Sequence, residues 1–347
     1  FALGFTANAQ IPKFTEILKQ YYNTNNIVLK TTSQTPPYGE QFENYDFESW
    51  ENENTESVEP TQWNSFMNAE TSSSWLNSAK SQQLNYSTEK RPNSSGSRSA
   101  RIYSREITVV LTKIVANGNL TNGRIYAGST TANNDGNYNY TVRSDANFNT
   151  TITSIPDSLT VWVAFRSKSA ATAKINVTIH GDTDLKQLAK SGNSPTNKVC
   201  ATADINYANT CISGSDLVWK RLTIPFVNGS HTDPRYILAT FTTNKTPGGG
   251  TSGDEVFVDD ICLIYNPSLN INYSGQTEFI VDGSAVNIQI PFTLDGSMSV
   301  YNLNAADNVV IAQLSDANGS FANPIELGRV TTNVSGTIQG VIPETVL

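Results

Sequence analysis

Short runs of alternating apolar and polar residues recur along this chain of 347 residues and decide its fold class. The clearest runs are 159–166 and 173–180, and a third lies at 222–226. Residues 236–241 and 256–264 are predicted as further strands, the last apolar enough to be a central strand. Because successive side chains of a strand point to opposite faces, each run predicts a strand with one buried face. Gly, Pro, Asn and Asp separate the runs, as they do in sandwiches and barrels. The chain is therefore predicted to be all-β.

The N-terminal residues 1–9 are predicted to be the remnant of a signal peptide. An apolar stretch there runs into Ala7-Asn8-Ala9, which fits the small-x-small pattern of a cleavage site. Residues 10–41 are predicted to hold a short helix at 12–22, with Pro12 in its first turn, and a connector. The mature protein is then expected to begin at Gln10.

Two β-sandwiches are predicted to follow, a larger one at 42–266 and a smaller, immunoglobulin-like one at 268–347. The first strand of the larger sandwich is expected at 44–50, and Asn266-Pro267-Ser268 separates the two. Alternating runs in the smaller one lie at 278–281, 286–292, 309–314 and 337–342. No closing strand follows, so the chain is expected to be part of a longer protein.

Composition and net charge limit the classes of partner that the protein is expected to bind. Charged residues make up 16% of the chain and the formal net charge is −8, with most polarity coming from Asn, Ser, Thr and Gly. Such a surface suits a secreted or cell-surface protein. Without a basic stripe to neutralise phosphates, nucleic acid is not expected as a partner. No apolar run reaches the roughly 18 residues of a membrane span, so none is predicted.

Three cysteines are too few for a disulfide scaffold. Cys200 and Cys211 bracket a polar segment and are predicted to close a disulfide loop in an oxidising compartment, with two free thiols as the equal alternative. Cys262 lies in an apolar run and is predicted to be a buried thiol.

Six short motifs follow one another between residues 42 and 266. They are Phe47-Glu48-Ser49-Trp50, Pro60-Thr61-Gln62-Trp63, Gly96-Ser97-Arg98-Ser99-Ala100-Arg101-Ile102, Pro156-Asp157-Ser158-Leu159-Thr160-Val161-Trp162, Trp219 to Phe226 and Val258 to Tyr265. Their order resembles the carbohydrate metabolism domain of surface and secreted Bacteroidetes proteins, and more distantly the galactose-binding-like jelly rolls of carbohydrate-binding modules. The resemblance implies a jelly-roll β-sandwich with a sugar-related role, and it implies fold more strongly than chemistry.

The C-terminal segment is similar to a repeat of flavobacterial outer-surface and type IX-secreted proteins. The similarity is carried by Val310 to Phe321, Pro324 to Gly328 and Ser335 to Ile338. It implies a spacer or display module.

The inventory of catalytic groups is small. The chain has two histidines, His180 and His231, and no Gly-x-Ser-x-Gly motif, so no catalytic residue is predicted. Paired carboxylates could still support glycoside hydrolysis, and a glycosidase remains the rival hypothesis.

The resemblance to carbohydrate-binding jelly rolls implies a structural Ca²⁺ held by Glu48 and by Asp259 or Asp260. Calcium takes about six to eight oxygen ligands, and strand alternation lets only one of the adjacent pair face the ion. The alternative is that these acids accept hydrogen bonds from the backbone at a sheet edge.

Sugar binding uses exposed aromatic rings together with planar polar side chains in a concave site. Trp162 and Arg166 share the outward face of one predicted strand, and Asn176 and His180 are expected on the same face from the next strand. These four are the predicted ligand-binding residues. The alternative is that segment 64–95 covers Trp162.

These features predict a secreted or cell-surface, non-catalytic glycan-binding or adhesion protein. Its expected partners are a glycan or other surface ligand and other cell-surface proteins. The rival functions are a glycosidase and a structural stalk or filament component.

Overall fold

A computed structural model describes residues 5–8, 39–109, 111–168, 171–190, 196–211, 217–265, 269–271, 273–274, 284–294, 309–315, 321–332 and 334–344. The chain forms two compact units, Glu40–Tyr265 and a second that combines Phe1–Gly39 with Asn266–Leu347. The sequence analysis placed the corresponding boundaries at residues 42 and 266.

Across the described residues the structure is built almost entirely of strands. In chain order they are β1 (Phe5–Asn8), β2 (Trp50–Glu51), β3 (Glu59–Pro60), β4 (Glu70–Thr71), β5 (Leu84–Ser87), β6 (Ser99–Tyr103), β7 (Arg105–Val109), β8 (Thr112–Ala116), β9 (Asn119–Thr121), β10 (Arg124–Ala127), β11 (Asn137–Tyr140), β12 (Ser158–Arg166), β13 (Thr172–His180), β14 (Lys186–Leu188), β15 (Val199–Ala208), β16 (Lys220–Pro225), β17 (Val227–Asn228), β18 (Tyr236–Thr242), β19 (Glu255–Ile264), β20 (Leu269–Ile271), β21 (Val286–Leu294), β22 (Val309–Leu314), β23 (Ile325–Thr331) and β24 (Gly336–Ile342). The helical elements are α1 (Ser74–Ser78) and the 3-10 turns Phe66–Asn68, Ala146–Phe148 and Thr196–Lys198. None of the helices described has the length and apolar character to span a bilayer.

Two five-stranded antiparallel sheets form the body of the larger unit. Sheet A has the order β16-β12-β19-β6-β5, and sheet B has the order β17-β15-β13-β18-β9. The inward residues of their central strands are completely buried, namely Leu159, Val161, Val163 and Phe165 on β12 and Ala173, Ile175, Val177 and Ile179 on β13. Phe165 meets Tyr207 of sheet B with ring centroids 6.0 Å apart. The predicted all-β sandwich and its two inward faces are confirmed.

A third layer, absent from the sequence-based prediction, lies on the outer face of sheet B. Sheet C has the order β14-β11-β10-β4, and the separate hairpin β7–β8 lies beside it. The Asn139 amide of sheet C donates to Thr240 Oγ1 of sheet B at 2.8 Å, and Gln187 Nε2 donates to the Leu238 carbonyl at 3.3 Å. Polar side chains therefore join these two layers.

Strand β19 contains a β-bulge, because two of its residues stand opposite one residue of β12. The register passes from Thr160 opposite Cys262 to Trp162 opposite Asp259, and Asp260 adopts φ 45°. The backbone N–H of Ile261 turns out of the ladder and donates to the Tyr45 carbonyl at 2.9 Å.

Residues 44–50 were predicted as the first strand of the sandwich, and that prediction is wrong except at Trp50. Asn44 and Phe47 adopt φ 47° and 54°, a left-handed conformation that a regular strand without a bulge does not contain. The Asn44 amide instead bonds the Ser49 and Thr61 carbonyls and closes a loop. Phe47 packs within 5.4 Å of the buried ring of Trp63.

The smaller unit contains two three-stranded sheets, β1-β22-β23 and β20-β21-β24. Its predicted strands at 286–292, 309–314 and 337–342 are present. Residues 5–8, which the sequence places in a signal-peptide remnant, form β1 and pair with β22. The predicted helix at 12–22 and the run at 278–281 lie outside the described residues. The immunoglobulin-like topology of this unit stays a prediction.

The predicted disulfide between Cys200 and Cys211 is wrong, because both are free, buried thiols. The segment between them is not a loop but most of β15, a strand of ten residues. At about 3.3 Å per residue, such a strand holds its two ends far beyond the span of a disulfide. Cys262 is also free and is half-buried.

We expect alkylation of the denatured, non-reduced protein to modify all three cysteines. Mass spectrometry should then show three alkylated thiols and no peptide linked between Cys200 and Cys211. The Cys200→Ser variant, which cannot form that pair, serves as the control and should keep two modified thiols. A linked peptide in the wild-type protein would contradict the position of β15.

Candidate functional site

The four residues predicted to bind a ligand do not lie on one face. Trp162 and Arg166 lie on β12 of sheet A, whereas Asn176 and His180 lie on β13 of sheet B. Because the two sheets stack face to face, the outward sides of β12 and β13 point in opposite directions. The predicted common face is therefore replaced by two separate surfaces.

His180 is completely buried rather than exposed as the alternation suggested. Its Nδ1 lies 2.9 Å from the Gly181 carbonyl, which can only accept, so Nδ1 carries the proton. Its Nε2 then accepts from the Thr141 hydroxyl at 2.8 Å. The ring of Tyr236 stacks on it at 5.7 Å. Burial lowers the pKa of His180 to about 4, which suits a structural histidine.

The folded protein is expected to lose stability as the pH falls from about 6.5 to about 4. Over that interval the unfolded chain protonates His180 while the folded state does not, so the free energy of unfolding decreases. A proton NMR titration should show the His180 ring resonances unshifted down to about pH 4. A His231→Gln variant assigns the resonances. A His180 midpoint near 6.5 would contradict its burial.

Trp162 is half-buried, and part of its cover comes from the segment named in the alternative hypothesis. The Arg91 guanidinium lies 5.7 Å from the centre of its ring. Arg91 is also ion-paired with Asp260. Arg166, four residues along β12, pairs with Glu255 Oε2 at 2.9 Å. Trp162 and Arg166 thus keep the shared outward face predicted for them.

Glu48 is held by hydrogen-bond donors. Its carboxylate accepts from the Ser97 backbone N–H at 2.9 Å, from the Ser97 hydroxyl at 2.7 Å and from the Arg98 N–H at 3.0 Å. This is the arrangement of the alternative hypothesis, an acid bonded to backbone. Within the described ranges no three His, Cys, Asp or Glu side chains are grouped as metal ligands. With Asp260 paired to Arg91, these acids do not fit a calcium site as arranged, and the ion stays a prediction.

Asp259 is 1% exposed, and its Oδ2 has no hydrogen-bond partner. The pKa of Asp259 is raised to about 8, first by burial and then by the neighbouring Asp260, while Arg91 acts in the opposite direction. The side chain is therefore largely protonated at neutral pH, which removes the cost of a buried charge.

Replacing Asp259 with Asn should stabilise the protein increasingly as the pH rises from 5 to 8. A carboxyl with a raised folded pKa keeps a proton that the unfolded chain releases near pH 4, so wild-type stability declines over this interval by up to about 1.4 kcal/mol per pH unit. Thermal melts of the variant and of the wild-type protein at pH 5 and at pH 8 measure this difference in stability. Asp233→Asn, at an exposed ion pair with Arg235, is the control. An equal shift at both pH values would contradict the prediction.

A cleft of about 270 Å³ lies between sheet B, sheet C and the hairpin β7–β8. One part of its lining is apolar and consists of Phe66, Leu76, Ile107, Ile114 and Ile125. The other part is polar and consists mainly of Asn119, Asn137, Asn139, Lys174, Asn176, Gln187, Thr240 and Thr242. Of the four predicted ligand-binding residues, Asn176 alone lines this cleft.

Hydrogen bonds hold the amides of the cleft in fixed positions. Asn119 and Asn139 exchange reciprocal side-chain hydrogen bonds of 2.9 and 3.0 Å, and Asn139 donates its second N–H to Thr240. An amide nitrogen has two N–H groups, so Asn119 retains one for which the described part of the chain provides no acceptor.

The chain of hydrogen bonds continues to the edge of sheet B. The Thr240 hydroxyl donates to Gln187 Oε1 at 2.6 Å, and Gln187 Nε2 donates to Asn176 Oδ1 at 2.6 Å. Asn176 Nδ2 in turn donates to Asp204 Oδ2 at 2.6 Å. Asn176 therefore also keeps one N–H beyond its bonds to described residues, and that N–H is held by an ordered amide plane.

Two tyrosines of sheet C form a stacked pair. Tyr126 and Tyr138 are among the residues around the cleft, and their rings stack with centroids 4.9 Å apart and an interplanar angle of 18°. Their register places the rings on the face of sheet C opposite Asn139, which is the face turned away from sheet B and from the amides of the cleft. The Lys186 ammonium lies 4.6 Å from the Tyr138 ring. Sequence reasoning missed this pair because the short strands of sheet C are rich in Asn and Tyr and carry no apolar stripe.

The lining of the cleft is poor in titratable side chains. Among the described residues that line it, none is Asp, Glu, His or Cys, and the charged members are Lys174 and Lys245. Glycoside hydrolysis needs an acid and a base or nucleophile on either side of the bond. Amide and aromatic groups can instead bind hydroxyls and apolar sugar faces.

No model of a protein family matches the sequence, and no curated protein matches it either. Among solved structures, the chain is similar to a protein of Bacteroides thetaiotaomicron named "putative glycoside hydrolase", with 14% identity and a TM-score of 0.44 over 68% of this chain and 72% of that chain. A protein of the same name from Bacteroides vulgatus has 13% identity and a TM-score of 0.41 over 67% and 99%. TmCBM61 in complex with beta-1,4-galactotriose has 11% identity and a TM-score of 0.30 over 67% and 100%.

Proposed function

We propose that this is a non-catalytic glycan-binding protein of the cell surface or of the secreted fraction, and that it binds its glycan in the cleft between sheets B and C. The observation that carries the proposal is the lining of the cleft, where ordered amides with unused N–H groups lie beside an apolar wall. Adhesion to a glycan-coated surface is the activity that follows.

The fixed amides favour binding because little conformational entropy is lost when a sugar enters. Asn119 and Asn176 present donors whose planes are already set by partners in two sheets. Hydroxyl groups of a sugar both donate and accept, so they match an amide in either orientation. The apolar residues of the hairpin β7–β8 provide a surface against which the C–H face of a sugar ring can pack.

Support for the location comes from the sequence. The low content of charged residues is typical of an exported chain. The smaller unit is proposed to act as a spacer or display module, as its resemblance implies.

The rival functions make different predictions. A glycosidase needs an acid that reaches the glycosidic oxygen, and Asp259, the carboxyl with the most suitable pKa, is 1% exposed. A stalk or filament component would retain no glycan in the cleft.

Affinity electrophoresis in gels that contain galactan, xylan or mixed-linkage β-glucan tests the proposal. We expect retardation by at least one of these neutral polysaccharides. Asn119→Ala and Asn176→Ala should each weaken it about tenfold, equivalent to about 1.4 kcal/mol of binding free energy. Asn85→Ala is the matched control, since Asn85 is a half-buried asparagine on β5 of sheet A, outside the cleft.

Two results would overturn the proposal. One is the absence of retardation in every gel by a protein with a normal thermal melt. The other is turnover of chromogenic glycosides that Asp259→Asn abolishes without loss of folding.

A further inference from the structure

The outer face of sheet A has chemistry that the cleft lacks. Strand register places its side chains in three rows across the sheet, first Arg166, Glu255 and Tyr103, then Ala164, Phe257 and Arg101, then Arg221, Trp162 and Asp259. Arginine and aromatic side chains thus alternate along a strip. From Trp162 to Arg166 the strip runs about 13 Å, as four residues at about 3.3 Å each.

One carboxylate holds two arginines at the end of this strip. Arg101 donates through Nε at 3.1 Å and through Nη2 to Glu255 Oε1, and Arg166 donates through Nη1 to Oε2 at 2.9 Å. We call Arg101, Glu255 and Arg166 the two-arginine clamp. Glu255 is only 13% exposed, whereas the arginines are 40% and 39% exposed. Parts of both guanidinium groups therefore remain exposed to solvent.

Aromatic rings fix the arginines from below. The Arg166 guanidinium lies 5.9 Å from the centre of Phe257, and that of Arg101 lies 5.1 Å from Tyr103. Trp219 meets Phe257 edge-on at 6.3 Å. Stacked, ion-paired arginines lose little further freedom when they bind an anion.

Four arginines lie on the outer face of sheet A, although the net charge of the chain is −8. Arg91 pairs with Asp260, Arg101 and Arg166 share Glu255, and Arg221 reaches the Thr160 hydroxyl. Guanidinium groups concentrated in one strip attract an anionic ligand to it.

We propose that the two-arginine clamp binds the carboxylate groups of an acidic polysaccharide, a polymer of uronic acid, with Trp219 and Trp162 beside the sugar rings. Paired guanidinium groups match a carboxylate in shape and charge, and the indoles distinguish a sugar chain from a simple anion. This second site rests on the proposed function, because it extends glycan binding to a charged class of glycan.

Affinity electrophoresis with polygalacturonate tests the proposal at low and at moderate salt, with the fully methyl-esterified polymer, dextran sulfate and a DNA oligonucleotide as comparisons. We expect retardation by polygalacturonate that esterification abolishes and salt weakens. The Arg101→Gln/Arg166→Gln variant should bind at least tenfold more weakly. Arg143→Gln is the matched control, since Arg143 is also 39% exposed and bridges two acids, Asp182 and Asp184.

The Arg101→Lys/Arg166→Lys variant keeps the positive charge of both residues. It provides a second test if the glutamine variant does not fold. Its binding should fall as well, because lysine lacks the planar fork.

Equal binding of dextran sulfate or DNA, or full binding by the glutamine variant, would overturn the proposal. Asn176→Ala should leave polygalacturonate binding unchanged. Neutral glycan binding without uronate binding would overturn this inference alone, and the absence of all glycan binding would overturn the proposed function too.

Discussion

Burial of a polar sheet face is the constraint on which the larger unit depends. Sheet B is apolar on the side that meets sheet A, but its other side carries Asn176 and Thr240 and still lies under sheet C. A buried amide without a partner costs about 1–3 kcal/mol, so this interface is stable only because the amides and hydroxyls bond one another in a continuous chain. The same chain fixes the donors of the cleft, so the stability of the third layer and the shape of the candidate site have one origin.

The sequence predicted the sandwich itself, because β12 and β13 carry strong alternation of large apolar residues and β19 is a long apolar run. It did not predict sheet C, whose strands of two to four residues are rich in Asn and Tyr. Alternation also assigns a side chain to a face without showing what covers that face. His180 faces outward from the sandwich, as the pattern indicates, but the third layer buries it. Likewise Ala201 and Ala203 of β15 alternate correctly, yet alanines give too weak an apolar signal to distinguish a strand from a polar loop.

The candidate site could be predicted only in part, since residues close in sequence are divided between layers. β12 and β13 follow one another in the chain but belong to different sheets, so Trp162 and Asn176 lie on opposite sides of the sandwich. Side chains that pair across long sequence separations, such as Arg101 with Glu255, give no local signal. The molecule therefore has two chemically different surfaces, a neutral amide cleft and a basic aromatic strip.

The bulge in β19 divides this strand into two halves with opposite parity. Before it, Val256 and Val258 face the core, and after it Ile261 and Leu263 do. Deletion of a single residue there would move the side chains of one half of the strand to the opposite face and expose its apolar residues. It would also remove the anchor that Ile261 gives to the Tyr45 carbonyl. The extra residue thus changes which alternate positions of the strand face the core. The number of residues in this segment is therefore as strictly constrained as their apolar character.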